Sequence, residues 1–222
     1  MSNINKVIEE IQYGIMVGEF RPKQRLVEND LMKRFSFGRS VIRDSLKILA
    51  DRRLISRNEN RGSIVIELSA KEIGDLYFLR SYLEGIAGEL AFDTITFKDI
   101  QEMSRFQEEL KKHTQVDTKL VKLHEAFHEV IFKASGNDFL FWQIMSLIIL
   151  TGPVRYFTYT YPDQRERCLH EHDEMIQSLK QRSKDKFIGL CRNHIIPGMK
   201  MYISIFYPQE ARDIIDVIKE LK

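Results

Sequence analysis

GRSVIRDSLKIL, at residues 38–49, is the stretch that decides the fold of this chain. It opens with a glycine and, two residues later, a serine, and its apolar positions then recur at helical spacing. Arg39 and Arg43 are four residues apart and share one face of that helix, whereas Val41, Leu46 and Leu49 lie on other faces. The pattern predicts an amphipathic helix with one basic side.

Two further helices are predicted before this stretch. Apolar residues recur at helical spacing over residues 4–17, and Gly18 ends the segment as a C-terminal glycine does. A second helix is expected to end at about Phe35, and a turn at 36–38 joins it to the basic helix. The arrangement is helix, turn, helix, with the second helix of the pair basic.

A β-hairpin is predicted directly after the basic helix. Residues 54–57 and the β-branched run 63–66 flank a polar tip at 58–62 that contains a glycine. A hairpin in this position is a wing, so the N-terminal domain, residues 1–68, is predicted to be a winged helix-turn-helix.

Charge and composition limit the classes to which the protein can belong. Residues 1–68 hold 13 Lys and Arg against 9 Asp and Glu, a net of +4, which leaves 21 against 23, a net of −2, for the other 154 residues. The basic excess suits a domain that meets phosphates. The chain has two cysteines and no long apolar run, so we expect a cytoplasmic protein without a disulfide framework and without a membrane partner.

The remainder of the chain, residues 69–222, is helical in pattern almost without interruption. A loop is expected at 158–163, and Pro197 should kink the helix that contains it. The fold class is mainly α: a winged helix-turn-helix domain followed by an all-α bundle of six or seven helices. The coarse helix boundaries are 70–93, 97–115, 117–135, 138–152, 162–182, 184–206 and 208–221.

Four of the six histidines stand where an apolar residue is expected. His124 and His128 are one helical turn apart on an apolar stripe, while His172 and His194 lie on the stripes of two later helices. A buried imidazole needs a partner, and one divalent cation would serve all four. Zinc, nickel, copper and iron suit imidazole better than magnesium or calcium does. Satisfied core histidines are the alternative, and the spacing alone does not choose between the two.

The N-terminal residues resemble the winged helix-turn-helix of the GntR family of bacterial transcription regulators. The resemblance covers roughly 60 residues and departs from the family pattern at Lys23 and Val41. It implies that Arg39 and Arg43 reach base edges and phosphates in the major groove, which suits the bidentate fit of arginine to guanine. It places Arg61 and Gly62 at the wing tip, near the minor groove or backbone. Ser40 is expected to donate to a phosphate or to cap the helix. The motifs that carry the resemblance are Gly18-Glu19-Phe20-Arg21-Pro22, Leu26, Leu31, Arg39-Ser40-x-x-Arg43-Asp44-x-Leu46-x-x-Leu49, Leu54-Ile55 and Arg61-Gly62.

The C-terminal residues resemble the ligand-binding FCD domain of FadR-like GntR regulators. The motifs are His124-Glu125-Ala126-Phe127-His128, Ala134-Ser135-Gly136-Asn137, Glu171-His172 and His194. In that domain an acidic residue, the histidine four positions later and two further histidines bind a divalent metal. The resemblance therefore implies ligation by His124, His128, His172 and His194. This chain has His124 where the family usually has Asp, which removes a negative charge and favours zinc or nickel.

Two arginines are candidates for binding an effector. Arg80 shares a helix face with Glu84, so the two could form a buried ion pair; the family resemblance instead implies that Arg80 holds an effector carboxylate, for which guanidinium geometry is apt. Arg155 is a second candidate. Cys168 and Cys191 are interpreted as core thiols. The inner face of this first bundle helix is predicted to carry Ile73, Leu76, Tyr77, Leu83, Ala87, Leu90 and Ala91.

These observations lead to one principal hypothesis and two alternatives. The principal one is a homodimeric transcription regulator, not an enzyme, that binds a palindromic operator in double-stranded DNA. A small organic acid at the metal site would change its operator affinity. The first alternative keeps DNA binding but makes the metal structural, with no effector. The second is a metal-dependent hydrolase, which needs a general base; Glu125 is expected to point away from the histidines, and Glu171 to lack reach.

Overall fold

The computed structural model describes residues 2–58 and 62–219, with side chains as far as residue 215 in the last helix. The chain forms two compact units, Met1–Ser69 and Ala70–Lys222. The fold is mainly helical, with a small sheet in the first unit, and this confirms the predicted fold class.

The first unit contains three helices, α1 (Asn3–Met16), α2 (Glu28–Phe35) and α3 (Arg39–Asp51). Gly18 ends the first with a φ of 80°, and Ser36 ends the second in the left-handed region with a φ of 57°. The core side of α3 consists of Ile42, Ser45, Leu46 and Leu49, and Val41 is only half-buried. Ser45 Oγ donates to Ile4 O at 3.3 Å and so ties α3 to α1.

The wing belongs to a sheet of three strands, β1 (Arg25–Leu26), β2 (Ile55–Asn58) and β3 (Gly62–Val65), in the order β1-β3-β2. The predicted hairpin is β2 and β3, which pair antiparallel from Ile55 opposite Val65 to Asn58 opposite Gly62. The third strand, β1, was missed by the sequence pattern because two residues are too few for a strand signal.

The second unit contains nine helices among its described residues, more than the six or seven expected. They are α4 (Ala70–Thr94), α5 (Phe97–Lys112), α6 (Thr118–Ala134), α7 (Asp138–Leu150), α8 (Gly152–Tyr159), α9 (Pro162–Lys180), α10 (Lys184–Asn193), α11 (Ile196–Phe206) and α12 (Ala211–Lys219). The central helix is α4, which contacts α6, α7, α10, α11 and α12.

Two prolines account for the additional helices. The helix expected at 138–152 ends at Leu150, and a new helix, α8, begins at Gly152. Pro153 lies in the first turn of α8, where its missing N–H costs nothing. Pro197 interrupts the helix expected at 184–206 and does not merely kink it. Its ring clashes with the carbonyl four residues earlier, and α10 ends at that residue, Asn193.

Within the described residues, no single helix is long and apolar enough to cross a membrane. The pair α7 and α8 passes that test when the two are taken together, although they are bent by 64° where they meet.

Candidate metal centre and nucleic-acid interface

Four histidines converge in the interior of the second unit. His124 and His128 project from consecutive turns of α6, His172 from α9, and His194 caps the C-terminus of α10. None is more than 8% exposed. One nitrogen from each ring can be chosen so that all four lie within 4.8 Å of one another. The four sequence-predicted ligands are therefore brought together.

A glutamine fixes the orientation of one of these rings. Gln107 Oε1 lies 3.1 Å from His172 Nδ1, and Gln107 Nε2 donates to Leu169 O at 2.6 Å and to Asp173 Oδ1 at 3.1 Å. Because both donor bonds hold the amide in place, its oxygen must face the ring and His172 Nδ1 carries the proton. His172 Nε2 is then left with its lone pair. Such outer contacts are typical of metal-binding histidines.

The nitrogens of the cluster fit a metal ion. His172 Nε2 lies 3.1 Å from His128 Nε2, while His124 Nδ1 and His194 Nδ1 are buried without a hydrogen-bond partner. Burial, together with the charge of neighbouring groups, lowers the pKa of His124, His128 and His172 well below its ordinary value. Neutral imidazoles with unused lone pairs are the form that a metal requires. The cluster could therefore hold a divalent cation.

Cys168 lies against the cluster, and Cys191 does not. Cys168 Sγ is 3.3 Å from His124 Nε2 and 3.6 Å from His172 Nε2, and burial raises the pKa of this thiol to about 12. Cys191 is buried where α10 packs on α4, next to Gly88. Cys191 is a buried core thiol, as interpreted, whereas Cys168 is only half-buried and also touches the site.

Three of the four histidines, His124, His128 and His194, line a small cavity of about 50 Å³ whose wall also contains arginine–glutamate pairs. Arg80 Nε and Nη2 donate to Glu84 Oε1 at 2.9 and 2.7 Å, and Arg80 Nη1 donates to Thr151 Oγ1 at 2.8 Å. Arg155 Nη2 donates to Glu125 Oε1 at 2.6 Å. Both arginines line the cavity, so Arg80 combines the buried ion pair with a position beside the histidines.

Two expectations about glutamates were wrong. Glu125 lines the cavity and does not point away from it, because Arg155 on α8 draws its carboxylate inward. Glu171 also reaches the site. Its Oε1 accepts from Arg167 Nη1 at 2.6 Å, and its Oε2 lies 3.4 Å from His194 Nδ1, close enough for an electrostatic contact but without hydrogen-bond alignment. Although burial opposes it, contacts with His194 and Arg167 hold the pKa of Glu171 below its ordinary value.

Other residues of the site were missed, and some had a visible signal. Gln107 stands on the buried stripe of Met103 and Leu110 in α5, which is a polar residue at an apolar position. Arg167 and Glu171 have the spacing of a helical ion pair. Tyr159 also lines the cavity, and no pattern distinguished it from a core aromatic.

The basic face of α3 is exposed, and both predicted arginines lie on it. In this structure Arg43 Nε donates to both carboxylate oxygens of Glu28, at 3.0 Å each, and Arg39 Nη2 donates to Asn29 Oδ1 at 3.2 Å. A groove between α3 and the sheet adds Arg25, Lys47 and Arg57.

The remaining predicted contacts have mixed outcomes. Ser40 does not cap α3: the N-cap is Gly38, and Ser40 Oγ donates to Asp44 Oδ2 at 3.3 Å. The reason is that the helix begins two residues earlier than a serine cap at this position requires. Gly62 starts β3 with a φ of 72°, in the left-handed region that suits glycine. Arg61 lies outside the described residues.

A basic helix after a tight turn, a wing beside it and a helical second unit with a buried histidine cluster beside a cavity are the features of a class of transcription regulators. The chain belongs to the family described as bacterial regulatory proteins, gntR family, whose model matches residues 3–65, and an FCD domain matches residues 75–196.

Several relatives and solved structures are similar to this chain. An uncharacterized HTH-type transcriptional regulator of Bacillus subtilis, YdhC, is 28% identical over 79% of this chain and 80% of its own length. The gluconate operon transcriptional repressor of Bacillus subtilis is 29% identical over 85% of this chain and 79% of its own length. The E. coli McbR/YncC structure has a TM-score of 0.76 at 21% identity and covers 94% of this chain and 99% of that one.

The gntR family match and the relatives described as transcriptional regulators confirm that the chain is a DNA-binding transcription regulator.

Proposed function

We propose that this regulator binds an operator and holds a metal ion beside the cavity of the second unit. Entry of a small organic acid into that cavity changes the operator affinity. The observation that carries the proposal is the histidine cluster, whose two unpartnered Nδ1 atoms are buried beside the arginine-lined cavity. An acid that favours one arrangement of the regulator shifts the population toward it, and operator affinity follows by linkage.

Zinc or nickel is the metal that this donor set favours. The cluster offers four imidazole nitrogens and no carboxylate, which does not suit magnesium, calcium or manganese. His124, His128, His172 and His194 would hold the ion, and the bound ion would supply a positive charge that attracts an acid oxygen. Arg80 and Arg155 line the path of the acid, although each already donates to a glutamate.

In the first unit, Arg39 and Arg43 are assigned to bases and phosphates of a palindromic operator. Their exposure on α3 supports this role, because each can leave its present partner for DNA at little cost. Gly62, Arg61 and Ser40 are assigned to the backbone, and Arg25, Lys47 and Arg57 extend the basic groove.

A homodimer is proposed from the outer side of α4. Leu90 is 41% exposed and Leu83 only half-buried, although the sequence pattern placed both on the inner face. These two and Leu76, Leu79 and Ile86 follow one another at intervals of three and four residues. That is the spacing of a coiled-coil seam. Because the stripe is nearly symmetric about Leu83, a second copy of α4 can pack on it antiparallel across a two-fold axis.

Catalysis is not supported by the geometry. A hydrolase would need Glu125 or Glu171 as a general base, yet each carboxylate is engaged by an arginine through a 2.6 Å hydrogen bond and is not free to hold an attacking water. The alternative of a purely structural metal differs from the proposal only in the effector.

The test uses the full chain loaded with zinc and a duplex selected from a random pool for tight binding. Operator affinity is measured with a panel of small carboxylates, before and after removal of the metal by a chelator. A change in affinity that needs both acid and metal is expected. If no acid changes affinity while the chelator unfolds the second unit, the structural-metal alternative is correct.

The dimer is tested separately by light scattering. Ile86→Asp places a charge within the stripe and should yield monomers, whereas Phe97→Asp, at a residue 74% exposed at the start of α5, should leave the mass unchanged. Equal masses for the Ile86→Asp variant and the wild type would rule out this face.

A further inference from the structure

Two hydrogen-bond donors at the cavity have no partner among the described residues: Arg155 Nε and Tyr159 OH. Both residues are only 8% exposed. Buried donors are nearly always satisfied in folded proteins, and those left over need an explanation. Here both lie at the cavity wall, which points to an acceptor supplied by a ligand.

The two donors face the same space as the histidines. Arg155 and Tyr159 are four residues apart on α8, so they project from one face of that helix. The Tyr159 ring lies 5.2 Å from the His124 ring, measured between centroids. Burial raises the pKa of Tyr159, so its phenol remains protonated and able to donate. A ligand that reaches the histidine cluster is therefore also close to the Arg155 and Tyr159 donors.

The charge of the cavity wall sets the charge of that ligand. Three arginines of the wall, Arg80, Arg155 and Arg167, are each paired with a glutamate, at nitrogen–oxygen distances of 2.6 to 2.7 Å. Their charges cancel, and histidines that hold a metal are neutral. The +2 charge of the ion then has no compensation from the protein. A buried charge without a counter-charge is strongly disfavoured, so the ligand should carry two negative charges.

The size of the cavity limits the ligand further. A cavity of about 50 Å³ is small, so it favours a compact acid.

Resting on the proposed function, we infer that the effector is a small dianion with two acid groups, one directed to the metal-binding histidines and the other to Arg155 Nε and Tyr159 OH. Tyr159 is then a specificity-determining residue, because it recognises the second acid group and does not touch the first.

The test compares malonate with malonamate, in which an amide of equal size replaces one carboxylate. Both are titrated by calorimetry into the full chain loaded with zinc, and the retained metal is measured afterwards. Malonate is expected to bind at least tenfold more tightly. Tyr159→Phe should weaken malonate binding roughly tenfold, as the loss of a hydrogen bond to a charged group does, and should leave the metal content unchanged.

Tyr156→Phe is the matched control. Tyr156 lies on the same helix, but its hydroxyl donates to Val116 O and it does not line the cavity, so malonate affinity should remain that of the wild type. Equal affinities for the two acids, or an unchanged malonate affinity in Tyr159→Phe, would overturn the inference. So would binding of neither acid. The proposed function is judged apart from these results, by whether any carboxylate changes operator affinity in a metal-dependent way.

Discussion

Arg43 on α3 donates from one nitrogen to both carboxylate oxygens of Glu28 on α2, at 3.0 Å each. The residue assigned to the operator is thus held by an acid in the free protein. Glu28 is only half-buried and Arg43 is well exposed, so the pair is weak enough to exchange for a phosphate.

Removal of that acid should strengthen DNA binding. Glu28→Gln eliminates both the competing partner and a negative charge near the DNA. Operator affinity is expected to rise up to about fivefold, the equivalent of a surface ion pair of about 1 kcal/mol. Fluorescence anisotropy at fixed salt measures the change. A lower affinity in Glu28→Gln would show that Glu28 positions Arg43 for DNA and does not compete with it.

Loss of Arg39 should remove sequence-specific binding. Arg39→Ala is expected to weaken operator affinity by roughly ten- to 100-fold, since a bidentate contact to guanine contributes about 1–3 kcal/mol. Lys6→Ala, an exposed cation on α1, serves as the control for general charge. The same anisotropy assay compares the two variants, and an unchanged affinity in Arg39→Ala would contradict the assignment of α3.

Two histidine variants test the metal centre. His128→Ala/His194→Ala removes two of the four ligands and should abolish retention of stoichiometric metal after dialysis. His170→Ala is the control, because His170 lies on the same helix as His172 but its side chain is 73% exposed. Elemental analysis reports the metal content directly. Full occupancy in the double variant would refute the site.

The glutamine behind His172 should control metal affinity without touching the metal. Gln107→Leu leaves His172 Nδ1 without its acceptor and frees the ring to choose the wrong tautomer. Zinc affinity is expected to fall about ten- to 100-fold. Gln101→Leu, at an exposed position of the same helix, should have no effect. Competition with a chromophoric chelator measures both, and equal zinc affinities would leave Gln107 a packing residue only.

Acid should destabilise the metal-free second unit. The pKa of His124, His128 and His172 is lowered in the folded chain, chiefly by burial, from a value of 6.5. Below pH 6.5 the unfolded state therefore binds more protons than the folded one, and stability falls as pH falls. Each pH unit costs up to about 1.4 kcal/mol for every imidazole that stays neutral. Melting temperatures of the metal-free protein at pH 5 and pH 7.5 test this. A smaller acid effect is expected once His124 and His128 are replaced.

The helices of the first unit could be predicted because their apolar spacing and their ending glycine are local signals. The histidine cluster was also predictable, since His124 and His128 share a helix face whatever the tertiary structure. Pairing of Arg155 with Glu125 was not, because it depends on α8, a helix that the sequence pattern did not predict between the expected helices at 138–152 and 162–182. The hydrogen bonds of Gln107 likewise depend on how α5 packs against α9.

The helix α4 faces two environments at once. Arg80 and Glu84 project from one side into the wall of the cavity, while Leu79, Leu83 and Ile86 occupy the other side. In the proposed dimer, that other side packs on the partner's α4 at the two-fold axis. A rotation of α4 caused by a ligand in one protomer would therefore also displace the partner's α4. Occupation of one cavity is expected to alter the other, and effector titrations of operator release should be sigmoidal, with a Hill coefficient above one.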